Sequence, residues 1–462
     1  MGSKRKPKRL EFWESALTRP ATFKPKEEAV NKLEAFYRSR QKSINQHPFL
    51  SGDEIKHQQL ERIKQLVVIA YKHVPFYHEL YSNAGFEPSD LKSWEDFYRL
   101  PIVSKEGLLE AGLDNTTNVS FPKDDLYLTR SSGSTGKVLR IAVNEEAILV
   151  DTLQGIRQFW LQSEGHYSQN HLLTHVYTVP WWFSSVRGKH ETAFISSLVE
   201  PEKIVEILRN LKTHVLSCYP SNLESLLTVS HELSNRLYLA VVHSEMSSKE
   251  QRKNFSKTLG VPVLDEYSSE ELTRIALELP KGAYHVNEDA VVLDILNEKD
   301  LRHVQPGETG IAVGTNLLNE AMPFIRYRQG DYIRLPKKEQ HSDVKWMQIE
   351  SIEGRLNDSF VRQDGTKVPA GTLLDASYRW MFDSGIQPYS FEVIQTAYDN
   401  VTVNLYSKTR FDRTQLALLE DKVKIHLGFL LGRECAIDIN VIRDVPHILG
   451  RKHRPIRREF KK

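Results

Sequence analysis

The sequence predicts an α/β protein: a large N-terminal α/β domain with helix-covered sheets, followed by a small C-terminal α+β domain. Three observations carry this. The chain has 462 residues, more than one hydrophobic core usually serves. Short apolar runs alternate with helical spacing through 172–267, the pattern of parallel strands joined by helices. From about residue 354 the pattern changes to a hairpin, a long helix and a final strand.

Each element follows from local spacing. Val30, Leu33, Phe36 and Tyr37 recur at helical intervals, as do Leu60, Ile63, Val67, Ala70 and Tyr71. These helices are expected on the outside of the large domain. Pro75 is expected to end the second, because its ring cannot continue a helix. Runs at 172–179, 215–219, 237–243 and 261–267 read as strands, with helices at 204–211, 223–233 and 249–259 between them. Strands follow at 290–296 and 310–316, joined through Pro306-Gly307. Further on, 391–396 and 401–406 alternate about Asp399-Asn400, as a hairpin does. A helix at 414–431 stops at Gly432, and 435–442 is a strand. The division falls at Gly354-Arg355. Residues 1–353 form the N-terminal core, with 1–20 a candidate disordered end, and 354–462 form the small domain.

Composition narrows the function. The chain is 40% hydrophobic and 26% charged, an ordinary balance for a folded protein. A net charge of +2 gives no global field for nucleic acid. Lys4, Arg5, Lys6, Lys8 and Arg9 read as a solvated tail. Cys218 and Cys435, the two cysteines, can build neither a disulfide framework nor a four-cysteine zinc site. They read as buried thiols suited to a reducing compartment. No apolar run follows the basic N-terminus, and the runs at 66–71 and 237–242 are too short to cross a bilayer. The expectation is a cytoplasmic protein with neither nucleic-acid nor membrane partners. His175 and His190 read as incidental polar residues, and no ligand spacing suggests a structural metal.

The strongest chemical signal is Ser131-Ser132-Gly133-Ser134-Thr135-Gly136-Lys137, between extended stretches at 126–128 and 138–143. Glycines let backbone N–H groups turn inward around phosphate oxygens. Hydroxyls add donors, and Lys137 adds charge. It is not a Walker A loop, since the glycines are too close and Val138 follows the lysine. A flexible linker is the alternative reading of the loop taken alone.

Several further motifs stand in order behind it. They are Tyr219-Pro220-Ser221, then Asp265-Glu266-Tyr267-Ser268-Ser269-Glu270-Glu271, then Gly307-Glu308-Thr309-Gly310 running on to Tyr327-Arg328-Gln329-Gly330-Asp331. Ile352-Glu353-Gly354-Arg355-Leu356-Asn357-Asp358 and Gly450-Arg451-Lys452-His453-Arg454 follow. With them, the chain from about 60 to 458 resembles the adenylate-forming superfamily of acyl-CoA synthetases, peptide-synthetase adenylation domains and luciferases, most of all its phenylacetate–CoA ligase branch.

The resemblance implies ATP-dependent activation of a carboxylic acid to acyl-AMP with release of pyrophosphate. Transfer to a thiol of coenzyme A or of a phosphopantetheinyl carrier protein would follow. It implies that the loop 131–137 grips the ATP phosphates and that Tyr267 stacks on adenine, with Glu266 and Ser268 beside the nucleotide. Glu271 would hold Mg²⁺, and Asp331 would accept hydrogen bonds from the ribose, with Arg355 assisting. Asn357 becomes the hinge of a mobile small domain, and Lys452 the lysine that enters for adenylation. An acid pocket would be lined by Tyr177, Trp181, His243, Ser244 and Glu245, with Trp181, Trp182 and Phe183 either an aromatic wall for a planar acid or core or lid residues. Four departures stand out. Ser268 replaces a glycine, Glu270 replaces a hydroxyl residue, Asn357 replaces a common aspartate, and Arg451 is inserted before Lys452. A carboxylate at 270 beside a phosphate is repulsive, so Glu270 either turns away or shares the metal with Glu271. Adenylyl transfer to a hydroxyl, an amide-forming ligase and an inactive scaffold remain alternatives, as does a homodimer among the open oligomeric states.

Overall fold

The fold begins with helices whose apolar faces are fully covered. The structure, a computed structural model, describes residues 27–460 except 132–138, 178–181, 198, 356–357, 369, 387, 389, 408–409 and 444–453; Arg130, Arg355, Gly371, Asp375 and Phe382 are described by backbone alone. Helix α1 (Glu27–Gln46) buries Ala29 and Leu33. Helix α2 (Gly52–His73) starts from a capping box in which Ser51 and Glu54 satisfy each other's backbone N–H. It buries Ile63, Leu66, Val67 and Ala70 in the largest core. Pro75 does more than stop α2. It takes the first position of α3 (Pro75–Asn83), where its missing N–H costs nothing, and Val74 caps both helices. Helices α4 (Trp94–Arg99) and α5 (Lys105–Thr116) follow.

Strands β1 (Tyr127–Arg130) and β2 (Arg140–Val143) pair antiparallel, with Tyr127 opposite Val143 and Arg130 opposite Arg140. The strands on either side of 132–138 therefore form a hairpin. Helix α6 (Glu145–Gln162) leaves β2 directly and is covered on every side, with all of 147–162 buried or half-buried. The chain then alternates: β3 (Leu173–Tyr177), β4 (Thr192–Ser196), α7 (Pro201–Leu211), β5 (Val215–Cys218), α8 (Pro220–Val229), β6 (Leu239–His243), α9 (Lys249–Leu259) and β7 (Val263–Ser269). Helix α8 starts and ends earlier than expected. Pro220 occupies its first turn, and the Ser230 hydroxyl accepts from the Glu232 N–H and turns the chain.

Strands β8 (Thr273–Glu278) and β9 (Tyr284–Val286) return antiparallel. With β13 (Gln348–Ile349), the sheet runs β13-β9-β8-β7-β6-β5-β3-β4, and β3 to β7 lie parallel. These parallel strands read as unbroken apolar runs because both faces are covered. Val215, Leu239, Val241 and Leu264 face α6. Leu216, Cys218, Ala240 and Val242 face α7 and α8. A second, antiparallel sheet joins β10 (Val291–Leu296), β11 (Thr309–Asn316), β12 (Tyr327–Arg334) and β14 (Ser351–Arg355). It packs on α2 and α3.

From Phe360 the chain has its own core. A short ladder, β15 (Phe360–Val361) with β16 (Lys367–Val368), precedes helix α10 (Ala370–Asp383). Hairpin β17 (Ser390–Ala397) and β18 (Asn400–Tyr406) leads to α11 (Arg413–Leu431) and β19 (Ala436–Ile442). The C-terminal segment joins this sheet, since β20 (Ile456–Arg458) pairs with β17 and Ile456 is fully buried. The sheet order is β19-β18-β17-β20. Cys218 and Cys435 are both free and buried. Among the described residues, no helix is long and apolar enough to cross a membrane.

Candidate active site

The carboxyl ends of the parallel strands converge, the place where open α/β sheets bind ligands. Tyr177 ends β3, Tyr219 follows β5, and His243 ends β6. Their rings cluster, with Tyr177 centred 4.9 Å from Tyr219 and 5.1 Å from His243. Burial, and then the Glu270 charge, pushes the Tyr177 phenol up to about 12, so it stays a neutral hydrogen-bonding group. Ser244 adopts φ 67°, a left-handed conformation uncommon outside glycine. Its hydroxyl lies 3.0 Å from His243 Nδ1 and 3.4 Å from the Tyr177 hydroxyl. The Glu245 carboxylate accepts the Ser221 N–H at the start of α8, where the helix dipole favours an anion. Burial, reinforced by Glu245, pushes the nearby Glu224 carboxyl up to about 8.

Strand β7 carries the next motif. Glu266 Oε2 accepts from Gln158 Nε2 at 2.7 Å and from Arg274 at 3.1 Å. Burial works against its ionisation, but Arg274, His243, Gln158 and Ser268 outweigh this and hold its carboxyl below the ordinary glutamate value. Arg274 also donates to Gln158 and pairs with Asp151, both on α6. Gly155 permits this approach, since a Cβ there would sit 2.9 Å from the guanidinium. The preceding Asp265 accepts the Tyr284 hydroxyl at 2.6 Å, and burial pushes its carboxyl up to about 6.

Tyr267 donates its hydroxyl to Asp331 Oδ2 at 2.6 Å. This bond joins the β7 motif of the first sheet to the β12 motif of the second. Asp331 follows Gly330, whose φ of +89° falls where β12 slips register against β11, so the expected tight turn is an irregularity within a strand, and Asp331 stands directly opposite Arg355 in the ladder of β12 with β14. Glu271, 6% exposed, receives the Tyr327 hydroxyl at 3.2 Å, while its backbone carbonyl accepts from Asn316. Glu270 points elsewhere, and its Oε2 accepts the Thr129 hydroxyl at 2.7 Å. Glu270 is thus directed at hairpin β1–β2. Among the described residues, no group of three metal-ligating side chains forms, so Glu270 and Glu271 are not gathered into an all-protein metal cage.

The hairpin mouth is closed by Ser131. Its N–H meets the Leu139 carbonyl, and its hydroxyl accepts both the Leu139 N–H at 3.0 Å and Lys105 Nζ at 2.9 Å. Ser132 to Lys137, Trp181, Asn357 and Lys452 lie outside the described residues. Near two of these, Arg454 pairs with Asp358, so the flanks of 444–453 and of 356–357 touch. Of the expected aromatic wall, Phe183 is buried in the α6 core and Trp182 packs on Tyr127. Lys105, Thr129 and the Arg274–Gln158 pair were not singled out in the sequence, and Tyr327 was quoted in a motif without a role. Of the first three, Lys105 had a local signal, the helix cap Ser104 just before it.

No family model matches the chain. Among curated proteins, it is 26% identical over 336 residues to a phenylacetate–coenzyme A ligase of Thermus thermophilus, covering 68% of this chain and 73% of that one. A phenylacetate–coenzyme A ligase of Escherichia coli is 26% identical over 329 residues, covering 67% and 73%. The chain is phenylacetate–CoA ligase-like, within the adenylate-forming superfamily. Its fold agrees with that of solved structures. A 2-hydroxyisobutyryl-CoA ligase in the postadenylation state, in complex with R3-HIB-AMP, superposes with a TM-score of 0.74 at 17% identity, over 90% of this chain and 91% of that one. The same ligase in its thioesterification state gives 0.60 at 18% identity, over 90% and 92%.

Proposed function

We propose that the chain activates a carboxylic acid with ATP as its acyl-adenylate and passes the acyl group to the thiol of coenzyme A. The Tyr267–Asp331 hydrogen bond carries this reading. It sets a ring and a ribose-accepting carboxylate side by side, with the mouth of the phosphate-loop hairpin tied to the same motif through Thr129 and Glu270. The likeness to the phenylacetate–coenzyme A ligases supports it.

A carboxylate oxygen attacks the α-phosphorus of ATP. The bond to the bridging oxygen breaks, and pyrophosphate leaves with the electron pair. The mixed anhydride then has a good leaving group. The thiol sulfur attacks its carbonyl carbon, AMP departs, and the thiol proton goes to solvent. The chain's part is to orient reactants and offset charge. Tyr267 lies against adenine, and Asp331 accepts the ribose hydroxyls. Lys105, the loop 131–137 and Arg355 face the phosphates, and Lys452 approaches the α-phosphate during adenylation. Asn357 is the hinge on which the part from 354 turns between the two steps. Tyr177, Trp181, His243, Ser244 and Glu245 are the residues proposed to shape the acid pocket.

Glu271 fits Mg²⁺, which takes one or two carboxylates and keeps phosphate oxygens and waters for its remaining positions. When bound, the ion offsets phosphate charge. Tyr327 keeps the Glu271 carboxylate oriented.

The deciding experiment is a carboxylic-acid library screened for pyrophosphate release, with and without coenzyme A, with products read by mass spectrometry. The reading expects acid-dependent release and an acyl-CoA product. AMP retained on a hydroxyl product, or an acyl group passed only to a carrier protein or an amine, would replace the second step. No acid-dependent release at all would overturn the first.

A further inference from the structure

A cluster of charges joins the part of the chain from Phe360 to the larger part before it. Lys367 stands on β16, and Phe360 and Val368 of the same ladder are buried in the core beyond Phe360. The Arg362 N–H donates to the Thr366 carbonyl, and the Arg362 side chain donates to the Leu430 carbonyl at 2.7 Å, so the ladder is tied to α11. Lys367 therefore moves with that core. Its ammonium reaches the other way, into the larger part. It lies 3.0 and 3.1 Å from the two carboxylate oxygens of Glu298 and 3.1 Å from the Tyr332 hydroxyl. These three acceptors match the three donors of an ammonium, and none of them belongs to its own part.

Glu298 is set to receive it. It sits in the turn after β10, where the Lys299 and Leu301 N–H groups both return to Asn297. Arg328 donates to Glu298 at 3.0 Å, and the Tyr332 hydroxyl donates to it as well. Burial opposes ionisation of this carboxyl, but Tyr332, Lys367 and Arg328 outweigh it and hold it below the ordinary glutamate value. Arg328 and Tyr332 would keep Glu298 in place without Lys367, so the socket outlasts the contact. The same two residues flank Asp331 along β12. Lys367 thus grips the strand that presents the carboxylate assigned to the ribose.

The contact is also able to open. The Lys367 and Glu298 side chains keep 31% and 36% of their surface exposed, so water can replace each partner as they part. An exposed pair contributes little by itself, and here a shared hydroxyl and a second cation extend it into a small network. Such modest strength suits a joint that opens and closes at each turnover.

We propose that Lys367 is a positioning residue for the adenylation step, holding the part beyond Phe360 against Glu298 and Tyr332 while the acid and ATP react. It acts through the placement of that part, not by touching substrate. The inference rests on the activity proposed above and on the turning of the part from 354 between its two steps.

Two measurements on the full chain test it. Spin labels on Asn83→Cys in α3 and Glu420→Cys in α11, both exposed, report the distance between the two parts by double electron–electron resonance. Cys218 and Cys435 are buried and stay unlabelled. Lys367→Met should shrink the population at the distance set by this structure, and Lys367→Arg, which keeps the charge, should restore it. Pyrophosphate release is then followed with the pooled carboxylic-acid library. Lys367→Met should lower its kcat about threefold to fivefold, what an exposed ion pair contributes, with the KM for ATP unchanged. Glu298→Gln should do the same, and the double variant should be no slower than either one. Identical distances or identical kcat in wild type and Lys367→Met overturn the proposal. So does a double variant slowed by the product of the two single effects, or a change confined to KM. No acid-dependent release from the wild type sinks the proposed activity instead, and with it the step that Lys367 is said to position.

Discussion

Thr129 donates its hydroxyl to the Glu270 carboxylate at 2.7 Å, tying hairpin β1–β2 to the turn after β7. The negative charge at 270 is thereby held toward β1. Thr129→Val should release it and raise the KM for ATP about tenfold, since hydrogen bonds to charged groups contribute about 1.5–3 kcal/mol. Adding Glu270→Gln should recover most of the loss. Initial-rate measurements over an ATP series check both; equal KM values for Thr129→Val and wild type would dismiss the latch.

Tyr267 and Asp331 should act together on the nucleotide. Asp331→Asn keeps the shape but weakens ribose acceptance, and AMP affinity measured by calorimetry should fall about tenfold or more. Tyr267→Phe removes only the hydroxyl and should cost less, roughly threefold to tenfold. Because the residues touch, the double variant should lose less than the sum of the two.

Lys105 and Lys452 should separate the half-reactions. Lys105→Met removes an ammonium at the mouth of the phosphate loop and should slow pyrophosphate release about tenfold to a hundredfold. Lys452→Ala should abolish that step while leaving thioester formation from preformed acyl-AMP within a few-fold of wild type. Undiminished pyrophosphate release in Lys452→Ala would remove that residue from the role.

Glu224 predicts a pH dependence of stability. Its carboxyl titrates near 8 in the folded chain and near 4.3 when unfolded. The folded state therefore holds a proton that the unfolded state has lost. Stability should fall as pH rises from about 5 to 8, by at most about 1.4 kcal/mol per pH unit from this group. Glu224→Gln should flatten that decline, and urea unfolding at pH 6 and pH 8.5 measures it. Parallel declines in the two proteins would show that Glu224 does not titrate in this range.

Much of this architecture was legible in sequence because both signals involved are local. The parallel strands show as apolar runs, since two layers of helices cover them, and the ordered motifs mark successive strand ends. What escaped depends on distance. The orientation of Glu270 is decided by Thr129, 141 residues earlier, and Glu266 is held by Gln158, a further helix. Phe183 looked like a neighbour of Trp181 and Trp182 in a pocket wall, yet burial against α6 draws it into the core. Pro75 showed that one helix ends, but not that the next begins with it, because a proline suits a first turn as well as a break.

Helix α6 differs from the amphipathic helices around it because no face is left to water. Its faces meet the parallel sheet, α1 and the Arg274 side chain, and Gly155 cannot gain even a methyl without pressing on that guanidinium. An amphipathic helix tolerates replacement on its outer side at every third or fourth residue. In a saturation-mutagenesis map this one should instead appear as an unbroken intolerant block across 147–162. The intolerance should extend to conservative polar exchanges at Gln158 and Gln162, residues that resemble surface positions when the helix is viewed alone.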